Sequence, residues 1–190
     1  MSRWILLLLV LSVGTSPGAS SYPKPTTPDA LVENLERSLE EMDLDEYEHL
    51  LDWTYVFDFA PEHEWLAPGG WTLAQELDAM RRLLGGEPTR FGTTPRRAIG
   101  LDVSLEPMGP WEETQEDPYG VLRTWRRDFA AKIEIRFDDD TTSFVHRRQV
   151  LTVVAGYDEA RLELGEFKLL RWEEEEWLGP RPFGALKARF

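Results

Sequence analysis

The sequence predicts an α+β fold, with helices packed on one face of a curved and largely antiparallel sheet. Two helical segments come first, a strand and a third helix follow, and four more strands complete the order. Several of these strands alternate apolar and polar residues, which is typical of strands with one buried face. Helices grouped ahead of antiparallel strands indicate an α+β arrangement, because alternating parallel units would interleave the two.

The helices are predicted from their N-caps and apolar spacing. Thr27-Pro28-Asp29 combines a capping hydroxyl, a proline at the first helical position and an acid in the first turn, and it starts a helix over residues 28–42. Asp43 caps a second short helix. A third begins after Thr72 and ends at Gly85-Gly86.

The strands are predicted from β-branched, aromatic or alternating apolar residues. They lie at residues 54–59, 99–105, 129–137, 144–155 and 167–174.

The N-terminus has the order of a secretory signal. A basic start at Met1-Ser2-Arg3 is followed by an apolar run, Trp4–Val13, and by small residues up to Ser20. The run is shorter than the ~20 residues that span a bilayer. We therefore expect an exported protein, secreted or periplasmic. The expected parts are a signal peptide at residues 1–20, a flexible leader at 21–27, a cone-shaped domain at 28–178 and a tail at 179–190.

The composition is acidic and lacks cysteine. There are 35 Asp and Glu against 21 Lys and Arg, a net charge of −14. Loss of residues 1–20 removes one arginine and leaves 20 basic against 35 acidic residues, a net charge of −15. Such a surface repels phosphate backbones and anionic lipid, so nucleic acid and membranes are not expected as partners. Without disulfides, the core alone must stabilise the fold.

Three segments resemble the nuclear transport factor 2-like superfamily, which includes SnoaL-like proteins and has a cystatin-like cone fold. They are Thr27–Ala30 with Met42–Asp45, Leu50–Asp52 with Tyr55–Phe59, and Phe167–Glu173. The resemblance implies a sheet that wraps round the N-terminal helices and leaves a pocket at the wide end of the cone. Members include ketosteroid isomerase and scytalone dehydratase, but also binding and dimerising modules, so the fold does not determine the function.

Catalysis is the alternative hypothesis. Aligned on Asp43-Leu44-Asp45, the tyrosine of ketosteroid isomerase falls on Leu35 and its base on Phe59, so neither role carries over to this chain. A lyase or isomerase acting on a small hydrophobic substrate would instead use His146 with Asp128 as an acid–base pair. The competing interpretation of His146 is a surface or core histidine without a catalytic role.

The favoured hypothesis is a non-catalytic module that binds a small apolar ligand or forms a homodimer through the open sheet face. Eight tryptophans are present, and Trp65 and Trp71 bracket a loop near the expected mouth of the cone. An aromatic-lined pocket suits an apolar ligand. The same rings could instead fill the core. The predicted pocket residues are Tyr55, Phe57, Phe59, Trp65, Trp125 and Arg127.

Metal ions and cofactors are not expected. The adjacent residues Glu62, His63 and Glu64 lack the spacing of a metal motif. The sequence also contains no phosphate-loop or dinucleotide-binding motif.

Overall fold

The structure is a computed structural model that describes residues 22–90, 94–114, 123–158, 163–175 and 182–190. The predicted signal peptide at residues 1–20 lies outside the described residues, so export stays a prediction. None of the described helices is long and apolar enough to cross a bilayer.

The described residues form four α-helices and seven strands. The helices are α1 (Pro28–Glu40), α2 (Leu44–Leu50), α3 (Leu73–Leu84) and α4 (Phe183–Lys187). The strands are β1 (Leu51–Asp58), β2 (Trp71–Thr72), β3 (Ala98–Pro107), β4 (Glu112–Thr114), β5 (Thr124–Phe137), β6 (Thr142–Asp158) and β7 (Glu163–Glu174). A 3-10 helix, Pro61–Leu66, lies between β1 and β2. The predicted order and the α+β class are confirmed, with β2, β4, the 3-10 helix and α4 as additions.

Side chains close the N-termini of the first three helices where the sequence predicts them. The Thr27 hydroxyl accepts a hydrogen bond from the N–H of Ala30 at 3.1 Å. The Asp43 carboxylate accepts one from the N–H of Glu46 at 3.0 Å. A capping box at Thr72 begins α3. These contacts satisfy N–H groups that have no partner inside the helix, so they set where each helix starts.

The strands form one sheet in the order β2-β1-β7-β6-β5-β3, with β4 pairing β5. Only β1 and β7 run parallel among the named pairs. Phe57 of β1 lies between Trp71 of β2 and Trp172 of β7 in this register. Because directly opposed side chains share one face of a sheet, the register builds an aromatic row across three strands.

The sheet curves around the helices, as the cone fold requires. α1 packs against β3, and α3 packs against β1. Leu35 and Phe59, the two positions on which the isomerase residues would fall, are both buried in the same core cluster.

Carboxylates of α1 cover the β3 edge of the sheet. Glu36 accepts a hydrogen bond from the Leu105 N–H at 2.5 Å, and Glu40 accepts one from the Val103 N–H at 3.3 Å. Burial raises the pKa of the Glu36 carboxyl above its ordinary value. Because these N–H groups already have partners, the β3 edge is less available for pairing with a strand of another chain.

The leader differs from its prediction. Tyr22 is buried, and its hydroxyl donates to the Glu41 carboxylate at 2.9 Å. The Pro25 carbonyl accepts a hydrogen bond from the Phe167 N–H at 2.8 Å. The leader is therefore packed on the domain rather than flexible, because an aromatic ring and backbone hydrogen bonds hold it there.

The predicted tail differs as well, because its described part is core rather than an appendage. Phe183, Leu186 and Phe190 have helical spacing, and all three are buried. The prolines and glycines of residues 179–190 predicted a tail, but this apolar stripe packs residues 182–190 into the core. We call residues 182–190 the C-terminal segment.

Candidate functional site

Three of the predicted pocket residues lie close together, two on β1 and Phe59 directly after its end. Tyr55, Phe57 and Phe59 are buried. The rings of Phe57 and Phe59 meet edge to face, with centroids 5.3 Å apart. Phe59 meets Trp71 in the same manner at 4.9 Å. Such contacts stabilise the fold beyond the free energy of burial alone, so this cluster contributes strongly to the stability of the core.

Trp125 and Arg127 belong to a second group. Trp125 packs on Phe167, with centroids 5.4 Å apart. Arg127 donates to the Asp29 carboxylate at 2.7 Å and lies over the ring of Trp111. The structure thus divides the predicted pocket between two groups of contacts.

Trp65 belongs to neither group. It lies on the 3-10 helix and is 72% exposed. Its ring therefore lies at the surface and not among the buried rings of Tyr55, Phe57 and Phe59.

The predicted acid–base pair of His146 and Asp128 is not assembled. His146 is exposed and pairs in register with Lys132, whereas Asp128 pairs with Val150. Four residues separate the two levels, about 13 Å along a strand. Asp128 instead accepts a hydrogen bond from Arg148 at 2.5 Å.

The inner face of β6 explains this difference. It carries Val145, Arg147 and Gln149, all buried, whereas Phe144 is 56% exposed. Because Arg147 and Gln149 on the inner face are polar, the alternation of apolar and polar residues is weak there. The even-numbered residues, which include Phe144, therefore resemble the buried face in the sequence.

The interior of the cone is occupied by Lys187 of the C-terminal segment. Its side chain is fully buried, and its Nζ lies 3.4 Å from the ring centroid of Phe57. The ring of Phe183 is 4.8 Å away, and those of Trp71 and Trp172 are each 5.8 Å away. A cation within about 6 Å of a ring face is attracted by its quadrupole. We call these four rings the aromatic box.

A carboxylate completes the box. Glu76 of α3 is fully buried and accepts hydrogen bonds from Lys187 Nζ at 2.6 and 2.8 Å. The Tyr47 hydroxyl donates to the same carboxylate at 2.7 Å. Burial lowers the pKa of Lys187, and the charge of Glu76 opposes that shift. Burial and the charge of Glu76 raise the pKa of Tyr47 and of the neighbouring Tyr55.

A second buried carboxylate, Glu174, anchors the C-terminal segment. Both its oxygens accept from the Gly184 N–H at 3.2 Å. Gln149 donates to Glu174 at 3.3 Å and accepts from the Trp172 indole at 2.6 Å. A methyl group at Gly184 would lie 2.6 Å from the Phe57 ring and 2.8 Å from the Phe59 ring, so only glycine allows this approach.

An open cleft lies on the other side of Phe59. Its cavity volume is about 460 Å³. The apolar part of its wall is Phe59, Pro61 and Ala67, and Gly69 and Gly70 also line it. Among the described residues, the charged ones that line it are all acidic: Asp58, Glu64, Glu173, Glu174 and Glu175. We call it the acidic cleft.

A second cleft, of about 410 Å³, contains both signs of charge. Three arginines line it, but Arg148 pairs with Asp128 at 2.5 Å and with Glu175 at 2.9 Å. Arg127 pairs with Asp29 at 2.7 Å. Because Arg127 and Arg148 already have carboxylate partners, the second cleft is expected to attract a charged ligand less strongly than the acidic cleft. No group of three or more candidate metal ligands converges among the described residues.

The sequence contains a signal for the box that the predictions missed. Glu76 lies at helical spacing from Met80 and Leu83, in the apolar stripe of α3. A carboxylate in such a stripe predicts a buried charge with a partner. The partner, Lys187, follows Phe183 by one helical turn. Nothing in the sequence, however, indicates that residues so far apart meet.

Comparisons with known proteins agree with this architecture. No protein-family model and no curated protein matches the sequence. Among solved structures, a provisionally named aromatic ring hydroxylase from Novosphingobium aromaticivorans superposes with a TM-score of 0.54 at 13% identity, covering 84% of this chain and 92% of its own. A provisionally named scytalone dehydratase from the same organism gives 0.50 at 13% identity, covering 82% of this chain and 90% of its own.

A conserved protein from Planctomyces limnophilus also superposes, with a TM-score of 0.50 at 11% identity, covering 77% of this chain and 91% of its own. The chain therefore shares the fold of these three structures, a curved and largely antiparallel sheet with helices packed against it, which is the α+β cone that the sequence predicted. Identities this low establish the fold and transfer no activity.

Glu174 gives the protein a pH dependence that can be tested. Burial raises the pKa of its carboxyl above the ordinary value of 4.5, against the opposing charge of Lys187. A carboxyl with a raised pKa adds stability below its unfolded-state pKa, and this contribution is lost as the pH rises through the folded-state pKa. Glu174→Gln removes that loss, so the variant should gain stability relative to wild type as the pH rises from 4.5.

Urea unfolding at a series of pH values measures this gain. Glu33→Gln, at an exposed position on α1, is the matched control and should show a smaller change with pH. A difference between Glu174→Gln and wild type that stays constant with pH would contradict the assignment.

Proposed function

We propose that this protein is a non-catalytic binding module whose ligand is a small organic cation with an apolar body. The acidic cleft is the site. The observation that carries the proposal is its described lining: an apolar wall built on Phe59, with carboxylates as the only charged side chains among the lining residues that the structure describes.

The size and charge of the cleft support this ligand class. A volume of about 460 Å³ lies within the ~300–1,000 Å³ range of small-molecule sites. Three of its five carboxylates have arginine partners: Asp58 with Arg171, Glu173 with Arg126, and Glu175 with Arg148. Glu64 makes no ion pair with any described residue, and the surplus of acid attracts a cation.

Two other hypotheses have less support. The catalytic alternative depends on His146 and Asp128, which lie at different levels of the β5–β6 ladder. Dimerisation through the outer face of the sheet would need apolar surface, and that face carries Lys132, Glu106 and the exposed His146. Among the described residues of β6, Phe144 is a large apolar side chain that is exposed beside these polar ones.

The test compares three probes of similar shape: phenethylammonium, the neutral phenethyl alcohol and the anionic phenylpropionate. Calorimetric titration of the full chain should show binding of the cation, weaker binding of the alcohol and none of the anion. Raising the salt concentration should weaken binding of the cation, because the field of surface carboxylates is screened. Equal affinity for cation and alcohol would overturn the proposal.

The charge of Glu64 should matter in the same assay. Glu64→Gln is expected to weaken phenethylammonium binding about 2- to 5-fold, since a solvated ion pair is worth up to about 1 kcal/mol. The control, Glu33→Gln, removes an exposed carboxylate that does not line the cleft and should leave the affinity unchanged. Equal losses in the two variants would indicate only a general effect of net charge.

A further inference from the structure

We propose that the aromatic box is a binding site for a primary alkylammonium group, and that Lys187 is an intramolecular occupant that a ligand displaces. This inference deepens the proposed function, because it extends the acidic cleft inward to a specific recognition site. The C-terminal segment then acts as a built-in competitor.

The chemistry of the box selects a primary ammonium. Two short hydrogen bonds to Glu76 need N–H donors, which a quaternary ammonium does not have. The Phe57 ring, 3.4 Å from Nζ, supplies the electrostatic attraction of a π face. The buried stem of Lys187 defines a channel for an unbranched alkyl chain. A carboxylate, aromatic faces and an aliphatic channel together match an alkylamine.

The occupant lies outside the sheet, although the apolar side chains of its segment pack into the core. The C-terminal segment adds no strand to the sheet and forms only the short helix α4. Its backbone is tied to the rest of the domain by the Gly184 N–H on Glu174, by the Arg189 carbonyl, which accepts from the Arg90 N–H at 2.6 Å, and by the Phe190 carbonyl, which accepts from Arg82 at 3.3 Å. Because the segment pairs with no strand, its local opening would break its own packing and these hydrogen bonds but no hydrogen bond between strands.

The acidic cleft and the box share a wall. Phe59 and Glu174 line the cleft, and both also contact Gly184 of the C-terminal segment. Movement of the segment therefore opens the cleft toward Glu76. A cation in the cleft and the ammonium in the box would occupy adjoining parts of one cavity.

The experiment removes the ammonium group of Lys187 by mutation and supplies an alkylammonium ion in solution in its place. Lys187→Ala should be destabilised, and propylammonium should raise its melting temperature, whereas propanol and tetramethylammonium should not. Lys187→Met fills the channel without a charge, so propylammonium should not raise its melting temperature. In Glu76→Gln/Lys187→Ala the counter-charge is gone, and the effect should disappear.

Wild type provides the second measurement. If Lys187 occupies the box for more than nine-tenths of the time, propylammonium should bind wild type about tenfold or more weakly than it binds Lys187→Ala. Saturating hexylammonium should accelerate hydrogen exchange at the backbone of residues 183–190 while β5–β6 amides stay protected. The hydrogen-exchange measurement on wild type tests the proposal even if Lys187→Ala does not fold.

The outcomes separate the two proposals. Binding of phenethylammonium that depends on Glu64 but not on Glu76 leaves the acidic cleft in place and overturns the box. No propylammonium effect on Lys187→Ala, or unchanged exchange in wild type with hexylammonium, also overturns it. Stabilisation of Lys187→Ala by propylammonium without any binding of phenethylammonium supports the box and contradicts the cleft.

Discussion

Glu76→Ala should destabilise the protein by about 3–5 kcal/mol, because it leaves Lys187 as a buried charge without the carboxylate to which it is hydrogen-bonded. Both side chains of the pair are fully buried, and their contacts are 2.6 and 2.8 Å. The Tyr47 hydroxyl also loses its acceptor. Urea unfolding at neutral pH measures the loss as a lower transition midpoint.

The informative control removes both charges. Glu76→Leu/Lys187→Met replaces the pair with apolar side chains of similar volume, and such replacements of buried pairs are often neutral or stabilising by about 1–4 kcal/mol. We therefore expect the double variant to be more stable than Glu76→Ala. Tyr47→Phe should then cost less in the double variant than in wild type, because the acceptor of its hydroxyl is already absent. A Glu76→Ala variant as stable as wild type would mean that the pair is open to water.

Local sequence patterns predict the helices and strands of this protein but not the buried pair of Glu76 and Lys187. The helices that begin at Thr27 and Asp43 and the alternating strand around Ile133 follow from local spacing and capping, so the sequence predicts them well. The three segments that resemble the cone fold also predict how these helices and strands are arranged in space. Each of these signals lies within a dozen residues of the chain.

The site depends on contacts that no local pattern encodes. Glu76 and Lys187 are 111 positions apart, and the parallel pairing of β1 with β7 brings Trp172 beside Phe57. The register of β6 was ambiguous because Arg147 and Gln149 face inward. The aromatic character of the cone was predictable from Tyr55, Phe57 and Phe59, whereas its occupant was not.

The interior position of the C-terminal segment gives the aromatic cluster two functions. Phe57 supports the core and faces the ammonium of Lys187. Phe59 packs against Phe57 and also forms the wall of the acidic cleft. A residue with contacts on both sides is where stability and binding are most closely coupled.

Phe59→Ala should therefore cost about 3–5 kcal/mol of stability, as truncation of a buried phenylalanine does. The ring is 7% exposed and touches Trp71 edge to face at 4.9 Å. Phe59→Leu keeps most of the volume and should cost less than Phe59→Ala, because the residual cavity is smaller.

Trp65→Ala is the matched control for this loss, because it removes a larger ring from an exposed position and should change stability by no more than ~0.5 kcal/mol. Denaturant unfolding of the three variants beside wild type provides the measurement. A graded loss from Phe59→Leu to Phe59→Ala, with Trp65→Ala near wild type, would place the Phe59 ring in the core wall between the acidic cleft and the aromatic box. If Phe59→Ala unfolds at the wild-type midpoint, the ring is not part of the core, and the cleft and the box do not share the wall on which the displacement of Lys187 depends.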